Sequence, residues 1–414
     1  MPEDERNVDA LVVPRVGRVE EVRGGLVPYR IADASGAEVP TVSEFLRDLV
    51  ASDCSAATVR SYAYELLGWL RFLQAVAVPW DRAARAEARD YALWLGRTSK
   101  PLRRRRPGSP APGSVNPVTG KPHPAETYAA ATRRHARAVI HAFYEYHRVQ
   151  HGRPLINPFP AARGAAGEQV NAHHNPMRPW IRPGRRAPYQ PKAPARIPRA
   201  IPDERFNELF AALASHRDRA LLAFWISTGA RAQELLTVTR GRVDPADQLI
   251  GVVRKGSRAL QMLPASADAF VWLRLYQHDL GDAVPAGPGD AAWWTLRRPH
   301  RPLSYDAARM MFGRAQQALG SNWTLHELRH SAAYRMVSDP HMSLADVQWV
   351  LGHAHLSTTE VYLTPDPDQL VERLLAHHAR QAEASVPARP APGYRPEVLQ
   401  TLFGNLPVSG EATS

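Results

Sequence analysis

Between Pro154 and Pro198 prolines recur so often that no long helix or central strand can run through the chain. The part NPMRPWIRPGRRAPYQPKAPARIPR holds seven Lys/Arg and no acid, with Trp180 and Tyr189 interleaved. Proline at that density keeps a chain extended, so 154–199 is read as a semi-rigid connector with separate bodies on either side. Positive, extended and aromatic, it suits tracking a phosphate backbone. A second tract, SKPLRRRRPGSPAPGSVNPVTGKPHP, holds six Lys/Arg and no acid. It interrupts the first body over 99–124, and reads either as a mobile loop reaching along DNA or as a tolerated insert.

The first body, over 39–153, has helical periodicity. In TVSEFLRDLVA the apolar positions are Val42, Phe45, Leu46, Leu49 and Val50. After Ser55, the run AATVRSYAYELLGWLRFLQAV puts Val59, Tyr62, Leu66, Leu67, Leu70 and Leu73 on one stripe. Helices are further expected over roughly 81–95 and 125–149. Such aromatics and leucines are core. Their basic neighbours Arg60, Arg71, Arg133, Arg134 and Arg137 either face a phosphate backbone or are simply solvated. Residues 1–38 form an N-terminal extension in which VVPRVGRVEEV and GLVPYRI are short strands or an arm.

The second body, over 200–385, is mainly α with a small β-sheet. IPDERFNELFAALA is amphipathic, with Asp203 as candidate cap, and 217–226 is more apolar and buried. Thr228-Gly229 then breaks the helix, and the restart over 230–236 puts Arg231 in a first turn, where a cation opposes the helix dipole. An anionic ligand or Glu234 would compensate. QLIGVVRKGSRALQMLP is a β-hairpin with Lys255 near its turn. Residues 386–414 hold a proline-rich joint and a short apolar element, PEVLQTLFGNL, suited to docking on another subunit or on its own domain.

The densest chemistry lies in TLHELRHSAAYRMVSDPHMSLADVQWVLGHAHLSTTEVYLT. Thr324-x-x-Glu327 is a capping box, and the helix it starts puts His326, Arg329 and His330 on one face. A helix over 344–351 stops at Gly352, leaving His353 in a turn. A second box, Ser357-x-x-Glu360, starts a short helix carrying Tyr362. A guanidinium grips phosphate or carboxylate bidentately, imidazoles move protons near neutral pH, and a tyrosine can act as covalent nucleophile. The same HELRH fits H-E-x-x-H, in which two histidines bind zinc and Glu327 is the base. On these residues alone both readings stand.

Basic residues number 52 against 40 acids, a net charge of +12. That balance favours a polyanionic partner, nucleic acid before membrane. The single Cys54 rules out an intrachain disulfide and a cysteine zinc cluster. With a charged start and no long apolar run, a cytoplasmic protein is expected.

The ordered set Arg231, Lys255, His326, Arg329, His353 and Tyr362, carried by TGARAQELL, VVRKGSRALQMLP, HELRH and LGHAHLSTTEVYL, resembles the tyrosine recombinase (phage integrase, Xer-type) family. The resemblance implies a catalytic domain preceded by a helical core-binding domain, the two closing as a clamp on double-stranded DNA. It implies a site-specific recombinase without metal or cofactor, in which Tyr362 attacks the scissile phosphate to leave a 3′-phosphotyrosine. Arg231 and Arg329 would clamp the non-bridging oxygens, His326 and His353 assist, and Lys255 protonate the leaving 5′-oxygen. Glu234 would brace Arg231 and His330 support the site. Arg60, Arg103, Arg104, Arg105, Arg133, Arg137, Arg182, Arg185 and Arg186 are candidate DNA contacts. Four protomers on DNA, a Holliday junction and accessory recombination proteins are also implied. The long inserts resemble members carried by mobile elements. A type IB topoisomerase shares this logic, and a catalytically silent DNA-binding regulator or a zinc peptidase are the remaining alternatives.

Overall fold

Helix-forming stretches here are bounded by local chemistry, and the computed structural model places them accordingly. It describes residues 6–101, 108–161, 187–192, 198–353, 355–363 and 375. The chain divides into two units, Met1–Arg196 and Ile197–Ser414.

In the first unit four helices pack around one aromatic core. They are α1 (Pro40–Ala51), α2 (Ala56–Ala75), α3 (Arg85–Arg97) and α4 (Ala130–His151). Proline opens α1, where its missing N–H costs nothing, and Ser55 caps α2 by accepting the Thr58 N–H at 3.2 Å. The expected third helix starts later because Glu87 reaches back to the Ala84 N–H at 2.8 Å. The fourth also starts later, at Ala130, and ends on left-handed Gly152. Of the predicted α2 stripe, Val59, Leu66, Leu67 and Leu73 are buried, whereas Tyr62 and Leu70 lie at its edge. Trp69 and Phe72 take the deepest positions. The Trp69 Nε1–H donates to Tyr144 Oη at 3.0 Å, and that hydroxyl donates to Trp80 O at 2.6 Å.

Two segments of this unit are more built than their composition suggests. Within 1–38 the short strands form: β1 (Arg18–Glu21) and β2 (Tyr29–Ala32) make an antiparallel hairpin whose Ile31 enters the helical core, and Ala32 is buried beside it. Within 39–153 the regular elements are helical, as expected, and the hairpin at 18–32 adds a small sheet to the unit. Arg71 donates to Val16 O and Gly17 O, tying this segment to α2 instead of facing a phosphate. The insert, in turn, is partly built: Val115 bridges Pro122, and Asn116 Oδ1 accepts from the Val118 and Thr119 N–H groups at 2.9 and 3.0 Å. An asparagine turn, invisible to a count of prolines and arginines, folds 114–123 back on itself.

The second unit is mainly α around a three-stranded antiparallel sheet, β3 (Val243–Asp244), β4 (Leu249–Val253) and β5 (Leu260–Pro264). Pairing of Ile250 with Leu263 sets the hairpin register. Around it lie α5 (Asp203–Ala212), α6 (His216–Thr228), α7 (Ala232–Leu236), α8 (Ala267–Leu280), α9 (Tyr305–Ala318) and α10 (Leu325–Ser338). After them come α11 (Leu344–Leu351) and α12 (Leu356–Glu360), followed by one 3-10 turn over Val361–Leu363. Helix α6 opens on charged residues, but its middle is buried all round, with Leu221, Leu222, Phe224 and Trp225 in the core. Pro202, not Asp203, caps α5; Asp203 instead pairs with Arg335 at 2.5 Å. The helix expected after Tyr362 and the apolar element after Val386 lie outside the described residues. Among the described residues no helix is long and apolar enough to cross a membrane.

The Trp69–Tyr144–Trp80 relay yields a test. Tyr144→Phe leaves the buried indole N–H without its acceptor, which costs about 1–3 kcal/mol. Chemical denaturation of the first unit's transition should show a loss of that size; an unchanged midpoint would mean the relay contributes nothing.

Candidate active site

Site residues reach one place because three short elements end there. Helix α6 stops at Gly229, whose φ of +60° suits glycine, and a Cβ there would lie 2.8 Å from Leu351 Cδ2. The released Gly229 carbonyl accepts from Arg329 Nη1 at 2.8 Å, and Leu351 O, at the end of α11, accepts from Nη2 at 2.7 Å. Two helix C-termini thus hold one guanidinium that is only 3% exposed. Burial, then the nearby Arg231 charge, pushes the Arg329 pKa down to about 10, so it stays cationic at neutral pH.

Arg231 caps α7 rather than lying within its first turn. Glu234 offsets the misplaced cation: it accepts from the Arg231 backbone N–H at 3.1 Å and from Nη1 at 2.8 Å. The same carboxylate accepts from Arg254 Nη1 and from the Lys255 backbone N–H, both at 3.1 Å. Burial would raise the Glu234 pKa, but hydrogen bonds from Arg231 and the Lys255 backbone hold it below the ordinary carboxylate value. Glu234 therefore joins α7 to the hairpin turn and sets the start of Lys255, whose side chain is exposed.

Arg254 escaped the sequence reading. Its Nε donates to Gln261 Oε1 at 2.6 Å, its Nη2 to Val350 O, and Gly352 leaves the space it fills, since a Cβ there would sit 2.9 Å from Nε. The signal was present in strand alternation: Ile250, Val252 and Arg254 face inward together.

On α10 the capping box forms as expected, with the Thr324 N–H and Oγ1–H donating to Glu327 at 2.7 and 2.8 Å. Glu327 is thereby committed as a cap, which argues against its use as the base of a zinc site. His326 and His330 pack edge to face at 4.4 Å between centroids. His330 Nδ1 lies 2.7 Å from Tyr362 Oη. His353 Nδ1 lies 2.8 Å from Thr359 Oγ1, and its ring is near-parallel to that of Tyr362 at 6.4 Å. Tyr334, also missed from sequence, packs its edge on Tyr362 at 5.4 Å. Helix α12 begins at Leu356, so Ser357 lies inside it and His355 is the cap.

Tyr362 is 6% exposed. Burial raises its pKa, and the Arg329 charge opposes that rise, so the phenol is protonated at neutral pH. Charges of Arg329 and Arg231 act on His326, His353 and Tyr362 alike. Burial first, then neighbouring cations, pushes His353 down to about 4. Burial, then His326, does the same to His330. His326 shifts in the same direction although much of its surface faces solvent. The set is two guanidiniums, three imidazoles and one phenol, with a carboxylate already saturated by donors.

The candidate DNA contacts in the first unit fare unequally. Arg60 is exposed, its guanidinium 5.7 Å from the Tyr64 ring centroid. Arg133 lies half-buried over Gly96. Arg137 is spent: Nε donates to Pro188 O at 2.8 Å and Nη2 to Pro160 O, pinning parts of the connector to α4. Phe159, buried in the helical core, shows the same of the tract's beginning. The connector is thus not wholly free between the units. Arg103, Arg104, Arg105, Arg182, Arg185 and Arg186 lie outside the described residues.

Residues 200–369 match the phage integrase family. The chain is 30% identical over 249 residues to the tyrosine recombinase XerC of Pseudomonas putida (strain W619), covering 57% of this chain and 77% of that one. The chain belongs to this family. It is also 29% identical over 165 residues to the tyrosine recombinase XerD of Pseudomonas aeruginosa and spans about half of that relative's length, 55%. Among solved structures, a XerH site-specific recombinase bound to palindromic difH substrate is similar with TM-score 0.54 and 16% identity, over 82% of this chain and 85% of that one. A lambda integrase dimer bound to a COC′ core site gives 0.51 and 17%, over 78% and 76%. These likenesses bear on the fold, which is that of the tyrosine recombinases.

Two outcomes follow for this family member. Glu234→Gln leaves the Arg254 cation buried against a neutral amide, and breaking a buried pair costs about 3–5 kcal/mol; urea denaturation of the second unit should show it, and an unchanged midpoint would remove Glu234 from its central place. His330 and His353, both near 4 in the fold, bind protons more readily once unfolded. Stability they contribute is full above pH 6.5 and is lost as pH falls toward 4. Thermal melts across that window should decline, and less so in His353→Gln; a flat profile would contradict the neutral imidazoles.

Proposed function

We propose that the chain is a site-specific DNA recombinase of the integrase type, cleaving and rejoining strands through a 3′-phosphotyrosine. The observation that carries this is Tyr362 Oη, buried 2.7 Å from an imidazole and within the field of Arg329 and Arg231. Tyr362 attacks the phosphorus in line. Arg329, fixed by two carbonyls, and Arg231, fixed by Glu234, hold the non-bridging oxygens as charge gathers on them. His326 and His353 donate to the same phosphate, and Lys255, on a turn anchored through its own N–H, delivers a proton to the leaving 5′-oxygen. The tyrosyl ester retains the energy of the broken phosphodiester, so rejoining needs no ATP, and the guanidiniums carry the charge stabilisation that a metal would otherwise give.

The partner is double-stranded DNA. Net charge of +12 supports it. Four protomers assemble on DNA and exchange strands in pairs, in the cytoplasm.

The test is a pool of nicked duplexes tiled from the DNA flanking the gene, incubated with the full chain in EDTA. A covalent protein–DNA adduct is expected with the native protein, none with Tyr362→Phe, and a rate about 10²–10³ lower with Arg329→Ala. No adduct from any duplex, or one that persists in Tyr362→Phe, contradicts the proposal.

A further inference from the structure

The phenol has to lose its proton in a place water hardly reaches. Tyr362 is 6% exposed, so bulk hydroxide is a poor acceptor, and burial holds its proton on. Arg329 and Arg231 are cations and cannot accept. His353 is the wrong way round: its Nδ1 faces Thr359 Oγ1, and its ring is near-parallel to that of Tyr362, not end-on to the hydroxyl. Among the described residues it is His330 whose Nδ1 lies within hydrogen-bond distance of Tyr362 Oη, at 2.7 Å. It follows Arg329 on α10, so the two carbonyls that fix that guanidinium also fix the backbone of the imidazole. One turn on, Tyr334 packs against the Tyr362 ring and sets its other side. Helix α10 thus supplies the acceptor, the phosphate clamp and the wall of the nucleophile's slot.

We propose that His330 is the proton acceptor for Tyr362, taking the phenolic proton at Nδ1 as Oη bonds to phosphorus and returning it when the strand is rejoined. This rests on the recombinase reading. In the step, the Oη–H bond breaks and Nδ1–H forms, the Oη–P bond forms and the P–O5′ bond breaks, and the 5′-oxygen takes a proton from Lys255. Rejoining runs the same transfers backward, with the His330 imidazolium as the acid. For Nδ1 to accept, the resting imidazole must be neutral with its proton on Nε2.

The surroundings fit a neutral ring. His326, Glu327 and Arg329 on α10, and His353 beyond α11, are the titratable groups that act on it. Burial leads and His326 follows, holding His330 at about 4. A base that weak cannot ionise a free phenol in advance. Transfer therefore accompanies bond formation, since an oxygen bonded to phosphorus loses most of its basicity, and the arriving phosphodiester anion stabilises the imidazolium.

The test measures single-turnover adduct formation across pH on the nicked duplex that reacts with the native protein, using His330→Gln and His330→Ala. Glutamine keeps a polar group near the hydroxyl but does not take the proton. General-base loss predicts a fall of roughly 10²–10⁴-fold in both. In both, the rate should climb with pH where the native protein levels off, and a fluorinated tyrosine at 362, a more acidic phenol, should recover much of the loss. DNA binding by gel shift should stay within about two-fold, and a folded His330→Gln keeps the test valid if the alanine variant unfolds. Rates within about two-fold of native overturn the proposal. So does a slowed variant whose pH profile keeps the native shape and gains nothing from the fluorinated tyrosine, because His330 would then only position the ring. No adduct with the native protein instead sinks the parent reading.

Discussion

One carboxylate holds the catalytic unit in register. Glu234 sits 3% exposed at the meeting of α7 and the β4–β5 turn, accepting from two guanidiniums and two backbone N–H groups. A buried anion with too few donors would protonate or destabilise the fold; with these donors it stays charged and orders what surrounds it. Arg254, the deeper partner, runs on to Val350 O, so the influence of Glu234 extends to the end of α11. Arg329 meets the same end at Leu351 O. Sheet, α7, α10 and α11 are therefore tied by arginines bound to backbone oxygens or to one acid.

A positive site this dense has a cost, visible in its neighbours. His330 and His353 are held neutral by burial and by repulsion from adjacent cations, and Arg329 loses part of its basicity. Such clustered, shifted groups are the electrostatic signature on which the proposed phosphodiester site rests. The buried tyrosine belongs to the same logic. Burial keeps its oxygen from water, under the charges of Arg329 and Arg231.

Much of the catalytic unit could be read from sequence because its chemistry sits on capped, short elements. Thr324 with Glu327 started α10 where expected, and Gly352 ended α11 in the left-handed region. The link between Arg231 and Glu234 followed from a cation at a helix start that needed an offset. What stayed hidden depended on distant pairing. Arg254 looked like one more basic residue in RKGSR until the fold set it against Glu234 and Val350 O. Tyr334 and Thr359 gained meaning only when α10 and α12 met around Tyr362. In the first unit composition said less: the hairpin joined the core through Ile31, an asparagine turn ordered part of the insert, and Arg137 donated to two proline carbonyls. Counting basic residues reports charge but not which carbonyls compete for it.

The central claim is that these groups converge on one phosphorus, and a crystal structure of the full chain carrying Tyr362→Phe on an uncleaved duplex tests it most directly. The account predicts one backbone phosphate with its non-bridging oxygens about 3 Å from the Arg231 and Arg329 guanidiniums and its phosphorus facing the ring edge at 362 at near-attack range. A duplex bound with every phosphate remote from Arg329, or with position 362 directed away from the phosphate that Arg231 and Arg329 grip, would contradict it.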